Sequence, residues 1–155
     1  MIKEFTIDIN EDQLTNIKSK IEHYPWPSIE SMEGWTHGTN KKYLKELCDY
    51  WLKEFNWKKH EQLINSFKNY KTNVDGIDIH FIKEEGSGEN PKTLLLLHGW
   101  PGSLVEFLEI IKPLAHPEKF GGNIDDAFTV IAPSLPGFGF SGAPKEPIGP
   151  RKISG

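Results

Sequence analysis

The sequence predicts an α/β protein: an N-terminal helical meander, then a hairpin and a strand–helix–strand unit that open a larger, incomplete sheet. Three observations carry this. Apolar residues recur at helical spacing between Leu14 and Phe67. Asp75-Gly76 separates two extended segments, and Asp-Gly supplies the positive backbone dihedrals of a two-residue turn. Thr93–Leu97 and Phe128–Ala132 are short apolar runs with a helix-length segment between them, the pattern of parallel strands covered on both faces.

The elements follow in order. Phe5 to Ile9 alternates apolar and polar residues and reads as a short strand or extended arm. Asn10 caps a first helix, with Gln13 in the reciprocal capping position and Leu14, Ile17 and Ile21 as a narrow stripe. That helix must stop before Tyr24-Pro25-Trp26-Pro27, since a residue preceding proline is pushed out of the helical region. Ser28 to Gly38 lacks periodicity and reads as an irregular segment tacked down by aromatics such as Trp35. Thr39 or Asn40 starts a second helix, whose wide stripe of Leu44, Leu47, Cys48, Trp51 and Phe55 is expected to be buried. Asn56-Trp57 interrupts the pattern, and a shorter helix carries Leu63, Ile64 and Phe67. This assigns residues 1–67 to a helical region and 68–155 to the first part of a sheet domain.

In the second region the hairpin joins Tyr70–Val74 to Ile77–Ile82, with Ile77, Ile79 and Phe81 on one face. Gly86 to Pro91 is a loop. A helix from Leu104 to about Lys112 turns Leu104, Leu108 and Ile111 inward, and His116 to Asp126 is a second loop. The strand–helix–strand unit predicts a right-handed parallel crossover. Two such apolar strands need helices on both faces, and the crossover supplies one, so the sheet is read as the front part of a larger one.

Composition narrows the function. The 155 residues carry a formal charge of −4 with scattered lysines, which gives no support to nucleic-acid binding. Cys48 is the lone cysteine, so no internal disulfide forms, and a reducing, cytoplasmic setting is expected. No signal peptide is visible after Met1, and no apolar run approaches the ~18 residues of a membrane span. The six histidines have no metal-ligand spacing, and no cofactor is expected.

The chemistry concentrates between Thr93 and Ser103, in Thr-Leu-Leu-Leu-Leu-His-Gly-Trp-Pro-Gly-Ser. The glycines allow a sharp bend after the strand, and Trp100-Pro101 is a candidate cis bond. Ser103 and Glu106 stand in capping-box spacing at a helix start. Backbone N–H groups near Trp100 then face open space, which makes an anion site, or an oxyanion hole if a nucleophile sits opposite. A strand-to-helix turn without any ligand fits His-Gly-x-Pro-Gly equally well.

His98-Gly99-Trp100-Pro101-Gly102-Ser103 resembles the oxyanion-loop motif of α/β-hydrolases, and its Trp-Pro form resembles epoxide hydrolases. Further segments look like the microsomal and juvenile-hormone type of that family. They are Trp35 with Gly38-Thr39, Leu47 through Tyr50-Trp51, Trp57 with Glu61, Asp75-Gly76 with His80-Phe81, Glu106-Phe107, and Pro133 to Ser141. The resemblance runs from about residue 3 to residue 153. It implies an epoxide hydrolase N-terminal region followed by the start of an α/β-hydrolase core. The activity implied is opening of a small apolar epoxide to a vicinal diol through an alkyl-enzyme ester, a reaction of detoxification or aromatic hydrocarbon catabolism. It implies a backbone oxyanion donor at Trp100, with His98, Gly99 and Pro101 setting loop geometry. The family's nucleophile, lid tyrosines, acid and catalytic histidine are expected beyond Gly155, so the chain alone is expected to be inactive. Two alternatives stand beside this reading. One is a non-catalytic binding or assembly module, including self-association through an exposed sheet edge. The other is a fragment of another α/β-hydrolase, such as an esterase or dehalogenase.

Overall fold

A computed structural model of the chain describes residues 1–28, 34–36 and 38–144. Most of the irregular stretch before residue 38, His37 and the proline-rich end after Pro144 lie outside the described residues. The chain divides into two units, Asp8–Glu61 and a second one formed by Met1–Ile7 with Gln62 onward.

The first unit is helical. Helix α1 (Glu11–Glu22) is capped by Asn10, whose Oδ1 accepts from the Gln13 N–H at 2.8 Å. It ends at His23, before the two prolines. Helix α2 (Lys41–Lys53) is capped by Asn40, which accepts from the N–H groups of Lys42 and Tyr43. Helix α3 (Trp57–Asn65) begins at Trp57 rather than breaking there, because Asn56 Oδ1 accepts from the Lys59 N–H and serves as its cap. The division between units falls inside α3.

The expected burial of the α2 stripe is not met. No residue of α1 or α2 is buried, and Leu47 and Trp51 remain 45% and 43% exposed. The buried side chain of this unit, among the described residues, is instead a carboxylate, Glu61. It accepts from the Ile9 N–H at 2.8 Å, the Trp57 indole at 3.0 Å and Lys58 Nζ at 2.9 Å. Those donors hold its pKa below the usual carboxylate range, led by Lys58 and then Ile9.

The second unit is built on a mixed sheet. Its strands are β1 (Lys3–Glu4), β2 (Asn69–Val74), β3 (Ile77–Glu84), β4 (Lys92–Leu95) and β5 (Phe128–Pro133), in the order β1-β2-β3-β5-β4. The ladder is antiparallel from β1 to β5, and β4 pairs with β5 in parallel. The N-terminal strand lies at Lys3–Glu4, ahead of the expected Phe5–Ile9 arm, where the β1 backbone pairs with Tyr70 and Lys71. The hairpin forms as predicted, with Asp75 at φ 50° and Gly76 at φ 83°. Helix α4 (Leu108–Ala115) is shorter at its start and longer at its end than expected. A 3-10 turn at Leu104–Phe107 precedes it, and Pro113 lies inside it.

The apolar core belongs to this unit: Ile7, Ile64, Phe67, Phe81, Ile82, Leu104, Ile111, Ala115, Ala127, Val130 and Ala132 are all buried. Strand β5 is covered as its sequence predicts. Strand β4 is not. It lies at the end of the strand order with β5 on one side, and Leu95 and, two residues past its end, Leu97 are 55% and 58% exposed.

Candidate active-site loop

The chemistry-bearing turn follows β4. Leu96 N–H still donates to Ile131 O at 2.9 Å, so the ladder carries the chain to the edge of the loop. His98 then points inward and is buried at 4% exposure. Its Nδ1 is 3.0 Å from Gly99 O, and its Nε2 is 3.1 Å from the Leu135 N–H. A carbonyl can only accept and an N–H can only donate. The partners therefore fix the neutral tautomer, with the proton on Nδ1 and the lone pair on Nε2. The ring also meets Phe138 edge-on at 5.3 Å. With both nitrogens engaged, His98 ties the turn to the loop after β5.

This tie acts on one particular peptide. Gly99 O and the Trp100 N–H belong to the same planar trans unit, in which C=O and N–H point in opposite directions. Holding the carbonyl on His98 aims the N–H the other way. Among the described residues, the Trp100 N–H donates to no acceptor. The Trp100 side chain is 84% exposed.

The far side of the turn is equally set. Trp100–Pro101 is cis. Ser103 Oγ accepts from the Val105 N–H at 3.3 Å, and Glu106 Oε1 accepts from the Ser103 N–H at 3.1 Å, which completes the predicted capping box. A Cβ at Gly102 would overlap Glu106 Oε1, the far end of a flexible side chain, and lie 2.9 Å from Gly99 O. The sequence-predicted residues His98, Gly99, Trp100 and Pro101 thus form one rigid turn at the carboxyl ends of the parallel strands β4 and β5.

Sequence reasoning missed the weight of a second histidine. His80 is fully buried. Its Nε2 donates to Asn69 Oδ1 at 2.9 Å and its Nδ1 accepts from Ser134 Oγ at 3.1 Å. Burial, with Lys71 nearby, pushes its pKa down to about 4. The available signal was the place of His80 on a strand, between Ile79 and the core residues Phe81 and Ile82.

A third histidine assembles a constellation away from the turn. His116 Nε2 is 3.0 Å from Glu84, its Nδ1 is 2.7 Å from Ser87 Oγ, and Ser87 Oγ donates to Glu118 at 2.9 Å. The one Ser87 hydroxyl proton thus has two acceptors within reach, Glu118 Oε1 and His116 Nδ1, while Glu84 accepts from His116 Nε2. His23 instead bonds the α1 backbone, and His60 stacks on Phe55. No cluster of three His, Cys, Asp or Glu side chains that could hold a metal occurs among the described residues. Among the described residues, no helix is long and apolar enough to cross a membrane.

Known proteins resemble this chain over most of its length. The family model described as "Epoxide hydrolase N terminus" matches residues 2–107, and one described as "alpha/beta hydrolase fold" matches residues 92–152. The chain is 42% identical over 145 residues to a putative epoxide hydrolase of Stigmatella aurantiaca, covering 94% of this chain and 33% of that protein. It is 38% identical to epoxide hydrolase 1 of Oryctolagus cuniculus, covering 92% and 32%. Among solved structures, Aspergillus niger epoxide hydrolase superposes with a TM-score of 0.78 at 32% identity, covering 96% of this chain and 38% of that one. The juvenile hormone epoxide hydrolase of Bombyx mori gives 0.79 at 33% identity, covering 95% and 35%. The chain spans about a third of the length of these curated relatives. The fold they share is the α/β-hydrolase fold, of which the mixed five-stranded sheet is an incomplete core. With most of its length matched by that family model, the chain belongs to the epoxide hydrolase N-terminus family.

Proposed function

We propose that these 155 residues are the N-terminal portion of an epoxide hydrolase and supply half of its active site. The observation that carries this is the Gly99–Trp100 peptide, whose carbonyl is tied to His98 and whose N–H is left open. In the proposed reaction a carboxylate attacks an epoxide carbon, the carbon–oxygen bond breaks, and the oxygen takes a proton from a lid hydroxyl. Water then attacks the ester carbonyl, and the negative charge that develops on its oxygen is met by the Trp100 N–H. The nucleophile, the lid donors and the general base belong to the remaining two-thirds of such an enzyme. His98, Gly99 and Pro101 give the loop its geometry. The substrate is a small apolar epoxide, for which the exposed Trp100 ring is a suitable wall. Residues 1–67 form the N-terminal helical part and 68–155 the beginning of the hydrolase core. The lone Cys48 supports a reducing, cytoplasmic setting.

The test is a chimera in which residues 1–155 replace the matching third of the Stigmatella relative. We expect the chimera to convert styrene oxide to its diol and the 155 residues alone to give none. A folded chimera without diol formation, or clear turnover by 1–155 at normal purity, contradicts the proposal.

A second reading is favoured by one observation, the open β4 edge with Leu95 and Leu97 exposed on it. Such an edge supports an assembly role, including self-association of the chain. Size-exclusion chromatography over a concentration series decides this. A clean monomer at high concentration removes the self-association reading.

A further inference from the structure

Two histidines grip consecutive residues of one loop. After β5, the Ser134 N–H donates to His80 O at 2.9 Å, and Ser134 Oγ donates to His80 Nδ1 at 3.1 Å. The next residue, Leu135, gives its N–H to His98 Nε2. The His80 backbone N–H donates to Ser141 Oγ at 2.9 Å, and that hydroxyl donates to Ser134 O at 2.7 Å. His80 is thus stitched to both ends of the segment 134–141.

The other side of His80 is as firmly held. Asn69 accepts from Nε2 and gives its amide to Ile64 O and Phe67 O, each at 2.9 Å. Phe5 and Phe140 close over the ring edge-on at 5.4 and 5.3 Å. Among the described residues no buried side-chain nitrogen or oxygen lacks a partner, and a network so satisfied specifies a single arrangement because any slip leaves a buried group unpaired.

We infer that His80 is a positioning residue for the oxyanion turn. Through Ser134 it fixes where the Leu135 N–H lies. Leu135 fixes the His98 tautomer, and His98 fixes the Gly99–Trp100 peptide. The path runs from the α3–β2 junction to Trp100 through hydrogen bonds and adjacent peptides, with no contact between His80 and the turn required. The inference deepens the oxyanion reading and rests on it for its functional meaning, but its test involves no epoxide.

The experiment uses the 155-residue chain labelled with 15N. Long-range 1H–15N correlation reads the tautomer of each histidine, and hydrogen exchange reads the Leu135 amide. In the wild type we expect a pure Nδ1–H form for His98 and a pure Nε2–H form for His80. In Ser134→Ala the Leu135 amide should exchange roughly tenfold faster, the weight of about one net hydrogen bond. His98 should then show both tautomers in the folded protein. Ser141→Ala cuts the second stitch and should move both readouts the same way, so it serves if Ser134→Ala does not fold. Ile111→Val destabilises the core without touching the network and should leave the His98 tautomer pure. If His98 keeps a single tautomer in the folded serine variants, or if Ile111→Val shifts it equally, His80 is a local core residue and the inference fails.

Discussion

The two units carry equally clear sequence patterns and use them differently. In the sheet unit, apolar periodicity becomes a closed core around Ile82, Ile111 and Val130, each fully buried. In the Asp8–Glu61 unit, the α2 stripe stays largely exposed, and the described side chain that is buried is the Glu61 carboxylate. The difference teaches that periodicity predicts which face of a helix is apolar, not whether anything covers it. It also separates the sources of order: dispersion and the hydrophobic effect in the sheet unit, charge-assisted hydrogen bonds at Ile9 and Trp57 in the other.

The contrast can be broken by truncating matched apolar side chains. Ile111→Ala should cost about 2–5 kcal/mol, because the site is closed on all sides and a cavity remains. Leu47→Ala, at a half-exposed position, should cost no more than about 1 kcal/mol. Urea midpoints of the two variants check this, and equal costs would erase the distinction between the units.

Acid should act through the sheet unit's buried histidine. The folded His80 pKa of about 4 lies below its ordinary 6.5, so the unfolded chain binds the proton more readily. Stability from this group is full above pH 6.5 and is lost as pH falls toward 4, in total about 3 kcal/mol. Urea midpoints measured between pH 7 and 4 should decline across that window, and the decline above pH 5 should be smaller in His80→Gln.

Glu61→Gln probes the other unit. The substitution keeps one acceptor but removes the charge that serves three donors, at a cost of about 1–3 kcal/mol. Faster exchange of the Ile9 amide is the expected local sign. A comparably small effect belongs to the turn itself. Gly102→Ala pushes Glu106 away from the Ser103 N–H and should cost about 1 kcal/mol, the value of a cap, read as a lower thermal midpoint.

Much of this was legible in the sequence. Asp75-Gly76 specifies its hairpin by backbone dihedrals alone, and Ser103 with Glu106 specifies a helix start by local hydrogen bonds. Asn10 and Asn40 do the same for α1 and α2. Such signals need no distant partner. The exposure of Leu95 and Leu97 was not legible from the strand itself, since an apolar run reads the same at an edge as in a sheet centre; only the resemblance raised an exposed sheet edge. The role of His80 was hidden for a related reason. Its partners, Asn69 and Ser134, lie 11 and 54 residues away, and only the strand order β2-β3-β5 brings them together. The tautomer of His98 was hidden as well, since it depends on Leu135, which only the fold places at Nε2.

The account turns on whether the Trp100 N–H is held open while its neighbours are tied down. Amide hydrogen exchange of the 155-residue chain measures this directly. The Trp100 amide should exchange near its unprotected rate, while the Leu135 and Leu96 amides, bonded to His98 and Ile131, are protected. A Trp100 amide as slow as that of Leu96 would mean that its N–H is already spent on a bond, and the oxyanion role would be contradicted.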